Sequence, residues 1–248
     1  MHPARLLVAV ATALLLALPH AVRSGLPVEG SSAPPVTGAV QDAAPGLSVR
    51  HADFGGSNPS SDARHIADWI ADSGDNGPLE FVVVDKRHAA VYVFGSDARM
   101  RATSPILLGS ALGDTSVPDI GERPLSQVLP EERTTPAGRF MGERGRNARH
   151  EDVVWVDYDA AVSMHRVLTT NPAERRLERL ATPSVADNRI SFGCINVPVA
   201  FYESHIRPMF AKTRALIYVL PDVLTPQQVF GSYDVLPPGN RRLATAVP

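Results

Sequence analysis

The sequence predicts a mainly β domain with a few peripheral helices, and three observations support that expectation. Leu79–Asp85 and Ala89–Phe94 are runs rich in β-branched and aromatic residues, split by the polar Lys86-Arg87-His88, a hairpin signature. Further short apolar runs at Ser104–Leu108, Gly138–Gly142, Val153–Tyr158, Ser163–Leu168 and Ala215–Leu220 read as strands. Helical spacing is confined to the edges: one short segment before the first strand, then Ala173–Leu180, Val199–Phe210 and a short piece near Thr225–Phe230. A chain of 248 residues, 44% hydrophobic and 20% charged, has ordinary globular composition and suits one domain with flanks. No internal repeat is visible.

The elements follow in order. Met1–Arg5 is positively charged, Leu6–Leu18 is an apolar run, and small residues follow at Ala21, Ser24 and Gly25. The run is too short to cross a bilayer comfortably, so residues 1–24 are expected to be a secretory signal, with a retained anchor as the alternative. Residues 25–60, rich in Gly, Ser, Pro and Ala, read as a flexible linker. Ser60 or Ser61 then caps a helix with Ile66, Trp69 and Ile70 on one face, and 61–78 forms this helix and its connection. The folded core is expected to span 79–221. Within it, Gly109–Arg133 is long and rich in turn residues, as active-site loops are. Residues 222–248 form a polar tail.

Composition excludes several functions. A formal net charge of −2 and the lack of a basic stripe interleaved with aromatics argue against a nucleic-acid partner. No metal is expected, since there is no H-E-x-x-H and no cysteine pair; Asp152, Asp157 and Asp159 read as charges at strand ends. No phosphate-binding Gly-rich loop is present, and no cofactor is expected. Basic residues are almost all Arg, with Lys at 86 and 212 alone, and Arg suits carboxylate recognition.

The single cysteine lies in Ile190-Ser191-Phe192-Gly193-Cys194-Ile195-Asn196. Gly193 permits a tight turn that leaves the thiol accessible, and successive backbone N–H groups at such a turn can face an oxyanion. Val197-Pro198 leads into a helical pattern, so the thiol is expected near a helix N-terminus, where the dipole favours thiolate. The competing reading is a buried loop cysteine. A cysteine nucleophile needs an imidazole. His51 lies in the linker, His65 on the outer side of a helix, His88 in a hairpin turn, His150 in a charged loop and His205 on the outer face of the last helix. His165 differs, because it sits in the strand-like Ala161–Leu168, whose alternation can aim it inward.

In order, Thr135-Pro136-Ala137-Gly138-Arg139-Phe140, Met164-His165 and Ser191-Phe192-Gly193-Cys194-Ile195-Asn196 resemble the motif set of the L,D-transpeptidase (YkuD-like) catalytic domain. The hairpin Val82–Asp85 and Val91–Phe94 is similar to that domain's first hairpin, and the resemblance runs from about Leu79 to Leu220. It implies a compact β-sandwich with the cysteine at the end of a groove. It also implies that Cys194 attacks the carbonyl at the L-centre of diaminopimelate in a peptidoglycan stem tetrapeptide, releasing D-alanine. His165 would take the thiol proton and return it to the leaving amine, with N–H groups around Gly193 and Cys194 holding the oxyanion. The acceptor would be a second stem peptide, a lysine of an outer-membrane lipoprotein, or water. With the signal, this places the protein in the periplasm or cell envelope.

The chain departs from that family at three points. Phe192 stands where the family usually has His; its ring can wall the groove but cannot titrate. Arg166 follows the histidine where Gly is usual, and its carbonyl can still orient the imidazole. His165 and Cys194 are further apart than usual, with the excess at Asn171–Asn188, expected to cap the groove and restrict the acceptor. Arg189 is a candidate for a substrate carboxylate, against an equal case for a salt-bridging Arg. Ser191 and Asn196 are expected to support the loop or the substrate backbone, and Tyr158 to line the groove or simply pack. Two other functions remain open: an L,D-carboxypeptidase or hydrolase using the same acyl-enzyme, and a wall-binding module that has lost turnover.

Overall fold

The structure, a computed structural model, describes residues 49–236; the expected signal and most of the expected linker lie outside the described residues. Ten strands dominate: β1 (Phe81–Asp85), β2 (Ala90–Phe94), β3 (Met100–Pro105), β4 (Leu108–Gly109), β5 (Gly138–Arg146), β6 (Asp152–Asp157), β7 (Val162–Arg166), β8 (Arg189–Ser191), β9 (Ile195–Val197) and β10 (Ala215–Val219). The helices are α1 (Ser61–Ser73), α2 (Arg176–Ala181), α3 (Val199–Phe201), α4 (Arg207–Lys212) and α5 (Pro226–Phe230), with a π-helical turn, Tyr202–Ile206, joining α3 to α4.

Eight strands form one mixed sheet in the order β3-β2-β1-β10-β5-β6-β7-β9, and β4 pairs with β8 in a separate ribbon. β1 lies parallel to β10, and β7 lies parallel to β9; the sheet's other pairings are antiparallel. Period-2 alternation sorts the sheet's faces. Val82 and Val84 of β1 and Ile217 and Val219 of β10 enter one core, while Phe81, Val83, Leu216 and Tyr218 enter a second. Both faces are therefore covered, so β1 and β10 read as unbroken apolar runs in sequence. The first core also collects Val154 of β6, Met164 of β7 and Ile195 of β9. The two halves of the sheet thus share one interior, as a sandwich does.

α1 covers the second core. Ser60 accepts from Ala63 N–H at 3.0 Å and Gly74 ends the helix at φ +70°, while Ile66 and Ile70 are fully buried. Burying each such side chain is worth roughly 1.5–3 kcal/mol. Residues 49–60, expected as flexible linker, lie packed here: Ala52 and Phe54 are buried, and Asp53 bridges Arg99. The start of the expected tail packs too, through Phe230 and Val235, and Ser232 lies 2.8 Å from His65. His65 is accordingly largely covered rather than on an open face. Composition signalled low apolar content in both segments, but a few anchors are enough to hold them.

The expected strand at Ser104–Leu108 is two elements. β3 begins at Met100 and alternates between half-buried and exposed positions as an edge strand, and β4 follows after Ile106 and Leu107 turn inward. Lys86, read as a polar hairpin residue, is fully buried. Its Nζ donates to the carbonyls of Gly113 at 2.6 Å and Thr135 at 2.7 Å, and pairs with Asp114 at 3.1 Å and Asp222 at 3.2 Å. Burial pushes the Lys86 ammonium's pKa below its ordinary value, partly offset by Asp222 and Asp114.

Candidate active site

Cys194 sits in a strand–turn–strand. β8 ends at Ser191 and β9 begins at Ile195, so Phe192–Cys194 make the turn. The expected helix starts only at Val199, after β9, so proximity to a helix N-terminus is not what activates this thiol. Ile195–Val197 instead pairs with β7, matching Met164 to Ile195 and His165 to Asn196. This parallel register sets Cys194 beside Ser163 and His165, two residues whose side chains share a face of β7.

The thiol is half-buried and near enough to His165 for the imidazole to act on its titration. His165 Nδ1 donates to the Arg166 carbonyl at 2.7 Å, which fixes the tautomer and leaves Nε2 for the sulfur. Cys194 Sγ also lies 3.7 Å from Ser163 Oγ and 3.8 Å from the Ala161 carbonyl oxygen. Burial pushes the thiol pKa up, but hydrogen bonding and charge from His165, with help from the Ser163 N–H, bring it below the ordinary value. Burial pulls the imidazole pKa down, and the Cys194 contact and the Arg166 carbonyl lift it above its ordinary value against an opposing push from Arg176. Opposite shifts on adjacent groups favour a thiolate–imidazolium pair.

The turn is braced from two sides. Ser191 Oγ donates to the Cys194 carbonyl at 2.6 Å and accepts from Gly193 N–H at 3.1 Å. Gly193 N–H is thus directed at Ser191, and Gly193 acts here through its shape. Its φ is +129°, and a Cβ would come within 2.7 Å of the Thr134 carbonyl oxygen. Gly193→Ala is therefore expected to cost about 1–3 kcal/mol and to slow alkylation of Cys194, read by denaturant melts beside iodoacetamide kinetics. Thr135 Oγ1 donates to the Gly193 carbonyl at 2.8 Å and accepts from Gly109 N–H at 2.9 Å. That fully buried hydroxyl is what the Thr135-Pro136 motif contributes.

The remaining candidates fall in different places. Asn196 is fully buried; its Nδ2 donates to the Cys194 carbonyl at 3.1 Å and its Oδ1 accepts from Arg176 at 2.6 Å, so it supports the loop. Phe192 is 38% exposed, with the Arg133 guanidinium stacked 4.2 Å from its ring centre. Arg189 is committed to Asp222 at 2.6 and 3.2 Å and to the Lys86 carbonyl at 3.0 Å, the salt-bridging alternative rather than a carboxylate receptor. The Arg166 guanidinium turns away from the sulfur to Glu203 and the Asp152 carbonyl, so this residue serves through its backbone oxygen. Tyr158 is 74% exposed and packs edge-on against Trp155. Sequence reasoning missed Ser163 and Arg176. Ser163 is two positions before the histidine, the same-face spacing on a strand; nothing in the sequence pointed Arg176 at the site.

Among the described residues, no group of three or more His, Cys, Asp or Glu side chains is arranged to hold a metal ion. No family model matches the sequence, and no curated protein matches it. Solved structures of L,D-transpeptidase catalytic domains do match. The chain is 15% identical to a mutant Enterococcus faecium L,D-transpeptidase, with a TM-score of 0.31, covering 57% of this chain and 50% of that one. It is 14% identical to the helical cell shape determining protein Pgp2 from Campylobacter jejuni, with a TM-score of 0.40, covering 63% and 55%. It is 15% identical to the catalytic domain of the E. faecium L,D-transpeptidase, with a TM-score of 0.30, covering 58% and 98%. The chain thus spans about half the length of the first two structures.

Proposed function

We propose that the chain is an exported cysteine L,D-transpeptidase of the cell envelope, acting on peptidoglycan stem peptides in wall biogenesis and cell shape. The observation that supports this reading best is the β7–β9 register that sets Cys194, at a braced turn, beside a His165 whose Nδ1 is fixed by the Arg166 carbonyl. The Cys194 thiolate attacks the carbonyl at the L-centre of diaminopimelate, forming a C–S bond and an oxyanion. Cys194 N–H is the donor we assign to that oxyanion, because Gly193 N–H already serves Ser191. Collapse breaks the C–N bond, and the imidazolium gives its proton to the departing D-alanine amine. The acyl group then passes from sulfur to an acceptor amine, with His165 taking the amine's proton. A lysine of an outer-membrane lipoprotein is an alternative acceptor, and water in that place gives trimming.

The test is mass spectrometry of the purified protein incubated with disaccharide-tetrapeptide, beside Cys194→Ala. A cross-linked dimer, or tripeptide plus D-alanine, formed only with the intact cysteine is the expected result. Absence of product together with absence of a carbapenem adduct on Cys194 would overturn the reading in favour of a wall-binding module.

A further inference from the structure

The segment between β7 and β8 does more than lengthen the chain. Pro172–Glu174 forms a 3-10 turn, Arg175 adopts a left-handed φ of +49°, and α2 then projects Arg176 back toward the cysteine turn. That guanidinium is 12% exposed and makes two contacts: Nη1 to Asn196 Oδ1 at 2.6 Å, and Nε to the Glu174 carboxylate. These use two of its five N–H donors. Asn196 in turn holds the Cys194 carbonyl, and the charge of Arg176 is felt at the His165 ring. Arg176 also lines a cleft of about 200 Å³ together with Asn171, Pro172, Leu177 and the mutually paired Arg175 and Glu178.

We infer that Arg176 is a specificity-determining residue that binds a free carboxylate on the stem peptide in this cleft, with Glu174 occupying the guanidinium until substrate arrives. This rests on the stem-peptide reading above. A cationic fork suits a planar carboxylate by paired hydrogen bonds, and Glu174 already shows that the position accepts one. Glu174 is the more exposed partner, at 32%, so it can leave for solvent at little cost. The cleft has the volume for one side-chain group rather than a whole peptide. Arg176 reaches Asn196, which stands opposite His165 in the β7–β9 pairing, so the cleft is tied to the strand that carries the imidazole. Arg166 on this side of the site is held by Glu203 and Asp152, while Arg175, exposed on the same cleft and paired with Glu178, is the rival cation, and Arg176→Gln tells the two apart.

The test measures binding apart from chemistry. Cys194→Ala protein is titrated calorimetrically with stem tetrapeptide whose diaminopimelate carries a free carboxylate, and with the same peptide bearing a carboxamide there. The acid is expected to bind about tenfold more tightly than the amide, a charge-assisted hydrogen bond's worth. Adding Arg176→Gln brings that ratio to about one, Arg176→Lys restores part of it, and Glu174→Gln tightens the acid several-fold while leaving the amide unchanged. A ratio that survives Arg176→Gln, or acid and amide binding equally to the Cys194→Ala protein, overturns the inference and leaves the proposed function intact. Failure of both peptides to bind a protein shown folded by circular dichroism overturns both.

Discussion

His165→Ala is expected to slow acylation of Cys194 by about 10²–10⁴-fold, the usual contribution of a positioned general base. The pH dependence carries the mechanism. In the intact protein the thiol titrates below its ordinary value and the imidazole above its own, and both shifts favour thiolate beside imidazolium. Acidification through the lowered thiol value removes the nucleophile. Raising pH through the imidazole value removes the acid that protonates the leaving amine, although the thiolate survives. Turnover is therefore expected to be bell-shaped, while simple alkylation by iodoacetamide rises once and stays. Without His165, burial remains as the main influence on the thiol, so the alkylation curve shifts to higher pH. An alkylation curve unmoved by His165→Ala would remove the imidazole from the mechanism.

Lys86→Met is expected to destabilise the fold by about 3–5 kcal/mol, because it leaves Asp114 and Asp222 buried with Arg189 as their remaining cation. For a domain of this size that corresponds to a loss of roughly 6–20 °C in Tm. Asp114 shows what is at stake. Burial pushes its pKa up, yet backbone N–H groups of residues 222–224 and the Lys86 ammonium bring it below the ordinary carboxylate value. Its stabilising contribution is present at neutral pH and fades on acidification through that lowered value. The variant should accordingly lose its deficit relative to the intact protein in acid, where the carboxylates protonate. A denaturation midpoint at neutral pH within error of the intact protein would show the ammonium to be replaceable. Because Lys86 caps the Thr135 carbonyl while the Thr135 hydroxyl holds Gly193, the same substitution is expected to loosen the cysteine turn.

What the sequence made legible is what depends on local pattern. β1, β2, β6 and β10 stand where apolar runs predicted them, because strands covered on both faces leave continuous hydrophobic runs. The polar edge strand β3 left no such trace, and neither did the three-residue strands that flank the cysteine. The role of the following helix was misjudged for the same reason: Ile195–Val197 is too short to announce itself, and its pairing with β7 is set by contacts far away in sequence. That Cys194 and His165 belong to one site was legible because Cys and His are rare residue types standing in a recognisable order. Ser163 and Arg176 were not, since Ser and Arg are common and only folding brings Ser163 to the sulfur and Arg176 to Asn196. Arg189, Arg166 and Tyr158 were plausible by type, but the partners that occupy or displace them lie on other elements.

The placement of β10 bears on when the molecule can come into being. This strand, near the C-terminal end of the described chain, lies in the middle of the sheet between β1 and β5. Until it has been made, β3-β2-β1 and β5-β6-β7-β9 are separate ribbons with raw edges and no shared interior. A chain whose β10 is not yet in place therefore holds two incomplete halves open to water, and they close on one another when that strand inserts between them. The cysteine turn inherits that order of assembly, since the β7–β9 pairing that sets Cys194 beside His165 belongs to one of the two halves.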